Sequence, residues 1–435
     1  MRVSPATTAG RGAFIGVALA VMVYLTYFSV RTARATYYTE RQTLSGYERA
    51  TQIEPENPRN WYLLGRYLQY SFEDADPQRA ISSYRKALEI DPRSTSAWLD
   101  LAAMYESEGN GTAARNAFIT AKKTYPVSAE VSWRYGNFLL REGELEPAFA
   151  EIRNSVQADP NRAAEAFSRC LRVEPNADVI LDRVLPVDRD IYVTVMQDLT
   201  GDMQVDNAFK VWMRLAAMHP KIRLQDVFAL VRILRENGQT QEAHKVWEQA
   251  ADLAGLGQLE GATNSVVWDG GFESDVTGQG YAWRFPTNSK VQVLFDSQEK
   301  HSGKRSLRVS FDGSSDISFY DVCQTVPVQG GTAYELSGWM ETKALTTDQG
   351  VRIDLRTAGS TGAYTADARG TQPWTRFDAT WEGVKNDQEA EICLRRDPSD
   401  QEDNKIRGTV LVDDIALTPV AQNGGKNGGK NGAKK

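Results

Sequence analysis

The chain has 435 residues, 41% of them hydrophobic and 25% charged, which fits ordinary globular folds and leaves room for two or three domains. A net charge of −7 favours solubility and argues against a dedicated nucleic-acid binder. Three cysteines exclude a disulfide framework, and His219, His244 and His301 lie too far apart in the chain for metal-ligand spacing.

Residues 12–30, GAFIGVALAVMVYLTYFSV, carry no charge. As a helix they span roughly 28 Å, close to the hydrocarbon thickness of a bilayer. Ala33-Arg34-Ala35 has the look of a cleavage site, but the apolar run exceeds the roughly 7–15 residues of a signal peptide's core, and Arg31 and Arg34 stand between run and site. The expectation is an uncleaved, single-pass signal anchor with residues 1–11 as a short cytoplasmic tail and the bulk of the chain periplasmic or extracellular. Arginines on both sides (Arg2 and Arg11; Arg31, Arg34 and Arg41) keep the positive-inside count from deciding the orientation.

Residues 40–255 repeat. Pro92, Pro126 and Pro160 are each 34 residues apart. Between the first two, Trp98, Leu101, Ala102 and Tyr105 form one helical face, and Ala114, Phe118 and Ala121 a second. The turn Glu108-Gly109-Asn110-Gly111 joins them, and Pro126 ends the unit. This pattern resembles the tetratricopeptide repeat. Upstream, Trp61, Leu64, Gly65, Ala80, Tyr84 and Ala87 fit the register with three residues inserted near Glu73–Pro77. Tyr47 and Ala50 look like the second helix of a partial repeat. Downstream, Tyr135, Gly136, Leu139, Ala148 and Ile152 fit. Residues 161–188 are irregular, with Cys170 at a packing position. The register then resumes at Tyr192 and again at Val227. The resemblance implies an all-α superhelix with a concave surface that holds a protein partner. Asn60, Arg66, Asp100, Arg134 and Asn137 are the candidates for that groove.

At 264 the texture changes to short runs of period-two alternation, about ten in all, the pattern of an all-β sandwich. The order of motifs is Gly270-Gly271-Phe272-Glu273, then His301-Ser302-Gly303 with Ser306-Leu307. Gln324, Val326 and Val328 follow, then Tyr334, Leu336 and Trp339, and at the close Asp413-Asp414-Ile415. It resembles carbohydrate-binding modules of the galactose-binding-like jelly-roll type, over residues 264–420. The resemblance implies a structural calcium held by Glu273 with Asp413 or Asp414, with a corner-capping role for Glu273 as the alternative. Strand parity turns Trp339 away from Leu336 and Met340, and Arg352, Asp354 and Arg356 away from Val351, Ile353 and Leu355. One polar face with an aromatic platform, suited to sugar, is the expectation. Trp283 and Tyr320 are further glycan candidates, and Trp374 reads as structural. Cys323 and Cys393 both lie off the apolar faces and can bridge if their strands are neighbours. The tail 421–435, rich in Gly, Asn and Lys, reads as disordered.

The chain therefore reads as three parts in sequence: one transmembrane helix, a tetratricopeptide-repeat superhelix and a jelly-roll sandwich. No nucleophile, phosphate loop or metal cluster points to an enzyme. The function expected is a membrane-anchored scaffold of the cell envelope, with repeats that bind a protein and a sandwich that binds glycan, in envelope or extracellular polysaccharide assembly. A protein-only adaptor and a glycan hydrolase are the alternatives.

Overall fold

The computed structural model describes residues 8–257, 264–285, 290–357 and 360–420. The tail after Val420 lies outside them. The chain divides into two compact units at Val187/Asp188.

The first unit opens with α1 (Thr8–Glu40), whose residues 11–30 are exposed. Its stretch Gly10–Glu40 is the one helix among the described residues long and apolar enough to cross a membrane. The helix does not stop where the apolar run does. Arg31 donates to the Ile53 carbonyl and to Glu56, both at 2.7 Å, and Thr32 donates to Glu54 at 2.6 Å. Ala35 is buried, and Gly46 of α2 (Leu44–Ile53) lies so close to the Tyr38 carbonyl that a Cβ would sit 2.5 Å from it. The last turns of α1 thus supply the first helix of the partial repeat that Tyr47 and Ala50 announce.

Helix pairs follow: α3 (Pro58–Tyr70) with α4 (Pro77–Ile90), α5 (Thr95–Ser107) with α6 (Gly111–Thr124), and α7 (Ala129–Arg141) with α8 (Leu145–Ala158). Local chemistry sets their starts. Pro58 and Pro77 open helices whose preceding Asn57 and Asp76 accept from a backbone N–H of the first turn. The small repeat position permits close crossing: a Cβ on Gly136 would lie 2.7 Å from the Ile152 side chain. The irregular stretch resolves into a 3₁₀ turn at Pro160–Arg162 and two short helices, α9 (Ala163–Leu171) and α10 (Ala177–Arg183). Cys170 is fully buried on α9, and burial pushes its thiol up to about 12, an inert packing residue.

The second unit joins the pairs α11 (Arg189–Gly201) with α12 (Val205–Ala217) and α13 (Phe228–Glu236) with α14 (Thr240–Leu253) to the sandwich. The junction is packed. Trp247 of α14 is fully buried, edge-on to Trp268 at 5.2 Å and to Tyr281 at 6.1 Å. Gly280 lies where a Cβ would meet the Trp247 ring at 2.2 Å. Arg235 forks onto Glu389 at 2.6 and 2.8 Å, and burial counts against its charge less than that carboxylate supports it. The sandwich covers the open end that a last repeat otherwise exposes.

The sandwich has nine described strands, all antiparallel. They are β1 (Val291–Asp296), β2 (Ser306–Asp312), β3 (Phe319–Val328), β4 (Tyr334–Leu345), β5 (Arg352–Thr357), β6 (Ser360–Tyr364), β7 (Gly370–Trp381), β8 (Gln388–Arg396) and β9 (Arg407–Pro419). One sheet runs β1-β2-β9-β4-β7 and the other β3-β8-β5-β6. Leu307, Val309, Leu336, Val410 and Val412 from the first pack on Val322, Val326, Ile353, Leu355, Ile392 and Leu394 from the second. The segment around Trp268-Asp269-Gly270-Gly271-Phe272 forms turns. It runs beside β9, with Val266 donating to the Leu417 carbonyl and Ile415 to that of Gly270. A Cβ on Gly270 would lie 1.9 Å from the Ile415 oxygen, so a side chain is excluded there.

Candidate functional site

The outward face of the four-stranded sheet gathers most of the unusual polar chemistry. Register places Cys323, Cys393 and Asp354 side by side on β3, β8 and β5. Cys323 and Cys393 are joined as a disulfide. Asp354, 1% exposed, is surrounded by three guanidinium groups: Arg352 at 2.7 Å, Arg395 at 3.3 Å and Arg356 at 3.4 Å. Asp397 accepts from Arg352 and Arg395, each at 2.6 Å. Burial works against the Arg352 charge, but its hydrogen bonds to Asp397 and Asp354 outweigh that and raise its pKa. Arg284, bridged by its backbone to Cys323, pairs with Glu391. Tyr364 and Tyr320, 64% and 53% exposed, stand on the two outermost strands, and the Arg352 guanidinium lies 5.5 Å from the Tyr364 ring centre. Tyr364 escaped the sequence reading because β6 is short and its alternation is masked by Ser, Thr and Gly.

Trp339 is outward and half-buried, as its parity requires, but on β4 of the five-stranded sheet. It does not share a face with Arg352 and Arg356. Alternation states the side of a strand and is silent on which sheet the strand joins. The ring of Trp339 is stacked on His301 at 4.0 Å and 15°, with Trp374 tilted 5.7 Å beyond, so one aromatic face is occupied. Trp283 is corrected more strongly. It is 2% exposed, packs on Phe272 and donates Nε1 to the Asp269 carbonyl at 3.0 Å.

Glu273, Asp413 and Asp414 converge on one hairpin. Glu273 accepts from the backbone of Lys304 at 2.7 Å. Asp413, fully buried, accepts from His301 and Ser302 at 2.9 and 3.0 Å, and Asp414 takes the His301 ring and the Ser302 hydroxyl, both at 2.7 Å. Burial raises the Asp413 carboxyl to about 6, and no basic side chain pairs with it among the described residues. A hard cation with oxygen ligands fits that deficit of positive charge. Among the described residues, the one group of three or more acidic, His or Cys ligand atoms within 4.8 Å of one another is Cys323, Glu391 and Cys393, two of which form the disulfide.

In the repeats, three of the five groove candidates, Arg66, Asp100 and Arg134, engage one another. Asp100, 6% exposed, accepts from Tyr62 at 2.9 Å and Arg134 at 3.0 Å, and Arg66 lies 4.0 Å away. Burial and the Asp100 charge push the Tyr62 phenol up to about 12. Asn137 accepts from Arg169 at 3.0 Å, and the guanidinium groups of Arg162 and Arg169 lie over Trp133 at 5.4 and 5.1 Å. Asn60 is 4% exposed and donates to the Ala50 carbonyl, tying α3 to α2 rather than facing a groove. Arg66, with half its side chain exposed, is the most accessible of the five.

Three family models match the chain. A carbohydrate-binding domain matches residues 264–399, and two tetratricopeptide-repeat models match residues 71–132 and 105–163. The chain thus carries tetratricopeptide repeats followed by a sandwich of the carbohydrate-binding type, after an apolar N-terminal helix. Among curated proteins it is 26% identical over 168 residues to the tRNA(Glu)-specific nuclease WapA of Bacillus subtilis subsp. natto (strain BEST195). It matches the tRNA nuclease WapA of Bacillus subtilis (strain 168) to the same extent. In each case the match covers 36% of this chain and 7% of the relative. Solved structures that it resembles include YrrB, described as a tetratricopeptide-repeat protein with an unusual peptide-binding site. That match has 14% identity, 49% of this chain, 94% of that one and a TM-score of 0.26. MamA matches at 16% identity, 48% of this chain, 98% of that one and a TM-score of 0.24.

Proposed function

We propose that the protein is a non-enzymatic scaffold anchored in a membrane, with its repeats holding a protein partner and its sandwich binding glycan outside the cytoplasm, in envelope or extracellular polysaccharide assembly. The observation that carries the glycan half is the outward face of the four-stranded sheet, a polar floor between two exposed tyrosines in the domain that the carbohydrate-binding model matches. Aromatic faces stack on sugar C–H bonds, and fixed polar groups read the hydroxyls. The Cys323–Cys393 disulfide suits an oxidising compartment. The anchor reading is supported by the contacts of Arg31 and Thr32 and by the burial of Ala35, since cleavage after Ala35 would remove the first helix of the array. A structural calcium at Glu273 and Asp413 belongs to the same proposal.

The test is retention of the full-length protein, in detergent, on a panel of immobilised polysaccharides. Retention on at least one polymer, lost in Tyr364→Ala, supports the reading. Failure on every polymer favours the protein-only adaptor, which the mutual pairing of arginines and aspartates on this face also fits. The hydrolase alternative has no such observation behind it, since Asp413 and Asp414 are both engaged with the His301-Ser302 turn.

A further inference from the structure

Resting on that reading, the charges of the same face bear on the class of glycan. Beside the Arg284–Glu391 pair, the cluster around Asp354 joins four arginines, Arg352, Arg356, Arg369 and Arg395, to three aspartates, Asp354, Asp367 and Asp397. Every one of these carboxylates already receives at least one guanidinium, and Asp354 receives three. What this cluster offers a ligand is therefore surplus donors and few open acceptors. A neutral sugar hydroxyl both donates and accepts, and is poorly served by such a surface. A carboxylate only accepts and is well served.

The surplus is concentrated at Arg356. Its link to Asp354 is a single N–H at 3.4 Å, on an oxygen that also lies 3.3 Å from Arg395. Its Nε is buried and makes no hydrogen bond among the described residues, while 35% of the side chain remains exposed. Its two terminal nitrogens, with one long hydrogen bond between them, retain the paired donors that grip a carboxylate in a fork. Across the β5–β6 pair Tyr364 lies opposite Asp354 and Arg356 opposite Thr361, and the Arg352 guanidinium is 5.5 Å from the Tyr364 ring centre, so a ring stacked on the tyrosine points its substituents toward the arginines of β5. We infer that the outward face of the four-stranded sheet recognises an anionic glycan bearing ring carboxylates, as in a uronic-acid polymer, with Arg356 as the main carboxylate-binding residue.

The experiment compares polygalacturonate with a neutral glucan and a neutral xylan of similar length, using the full-length protein in detergent at low and moderate salt. The expected result is binding to polygalacturonate that weakens with salt and exceeds binding to either neutral polymer. Arg356→Gln should lower that affinity about tenfold or more, as loss of a hydrogen bond to a charged group does. Arg356→Lys, which keeps the charge without the fork, should recover only part. Melting temperatures close to the parent's would show that both variants fold. Equal or tighter binding to a neutral polymer overturns the inference but leaves the glycan reading standing, whereas absence of binding to all three removes both. Equal binding of single-stranded DNA, or no effect of Arg356→Gln on polygalacturonate, also overturns it, since the face would then be a nonspecific polyanion surface or not the site.

Discussion

The two outward faces of the sandwich carry similar residue types and do different things with them. On the five-stranded face the aromatics are Trp339 and Trp374, and His301, held by Asp414, stacks on Trp339 and lies tilted against Trp374. On the four-stranded face the aromatics are Tyr320 and Tyr364, both largely exposed, beside a charged floor with a disulfide and a buried aspartate. The larger ring is the more visible in a sequence, but it is partly satisfied by the protein itself. An open ring beside donors without full partners is the better mark of a surface built for something else.

The contrast is sharpest between the two tryptophans that the sequence offered as sugar platforms. Trp283→Ala should cost about 3–5 kcal/mol, the range for truncating a buried aromatic, and Trp339→Ala only about 1 kcal/mol, the scale of one aromatic pair. Chemical denaturation of the second unit's transition measures both, and equal losses would contradict the assignment of Trp283 to the core and Trp339 to the surface. Next in size is the disulfide, which closes a separation of 70 residues beneath the charged floor. Its reduction, or Cys393→Ala, should destabilise the sandwich by about 2–4 kcal/mol and leave the Trp339–His301 stack unaltered in fluorescence. An unchanged melting temperature in reductant would mean that the bridge contributes nothing to that sheet.

A smaller effect belongs to the corner behind the five-stranded sheet. Burial raises both Asp269 and Asp413 from 3.8 to about 6. The folded state therefore binds these protons more tightly than the unfolded chain does. The resulting stabilisation is full below about pH 3.8 and lost as pH rises through about 6. With a chelator present, these two groups should make the sandwich melt higher at pH 5 than at pH 7. Calcium at pH 7 should restore the difference by supplying positive charge to the ionised Asp413, and indifference to both pH and calcium would refute the metal proposal.

Much of this architecture is legible in the residues. The prolines 34 apart mark repeat ends, and parity sorts Leu336 and Met340 from Trp339, and Val351, Ile353 and Leu355 from Arg352 and Arg356. What parity cannot state is strand order. β4 joins β9 and β7 while β5 joins β8 and β6, so two correctly oriented strands ended on different sheets. Strands without alternation, such as β6, disappear from view and take Tyr364 with them. Arg396 was equally invisible: a fully buried arginine that bonds Asp316 and the carbonyls of Ile317 and Asn404 looks like any other basic residue in a run of two. In the repeats the polar positions were found, yet Asp100 and Arg134 turned out to hold each other, a tertiary pairing across 34 residues that composition does not disclose.

The central claim is that the four-stranded face is the ligand face. Its most direct test is polysaccharide retention by full-length protein carrying Tyr364→Ala beside the same protein carrying Trp339→Ala, both checked for an intact melting transition. The account predicts that Tyr364→Ala loses retention and Trp339→Ala keeps it. Retention that survives Tyr364→Ala and vanishes with Trp339→Ala would contradict it and move the site to the other sheet.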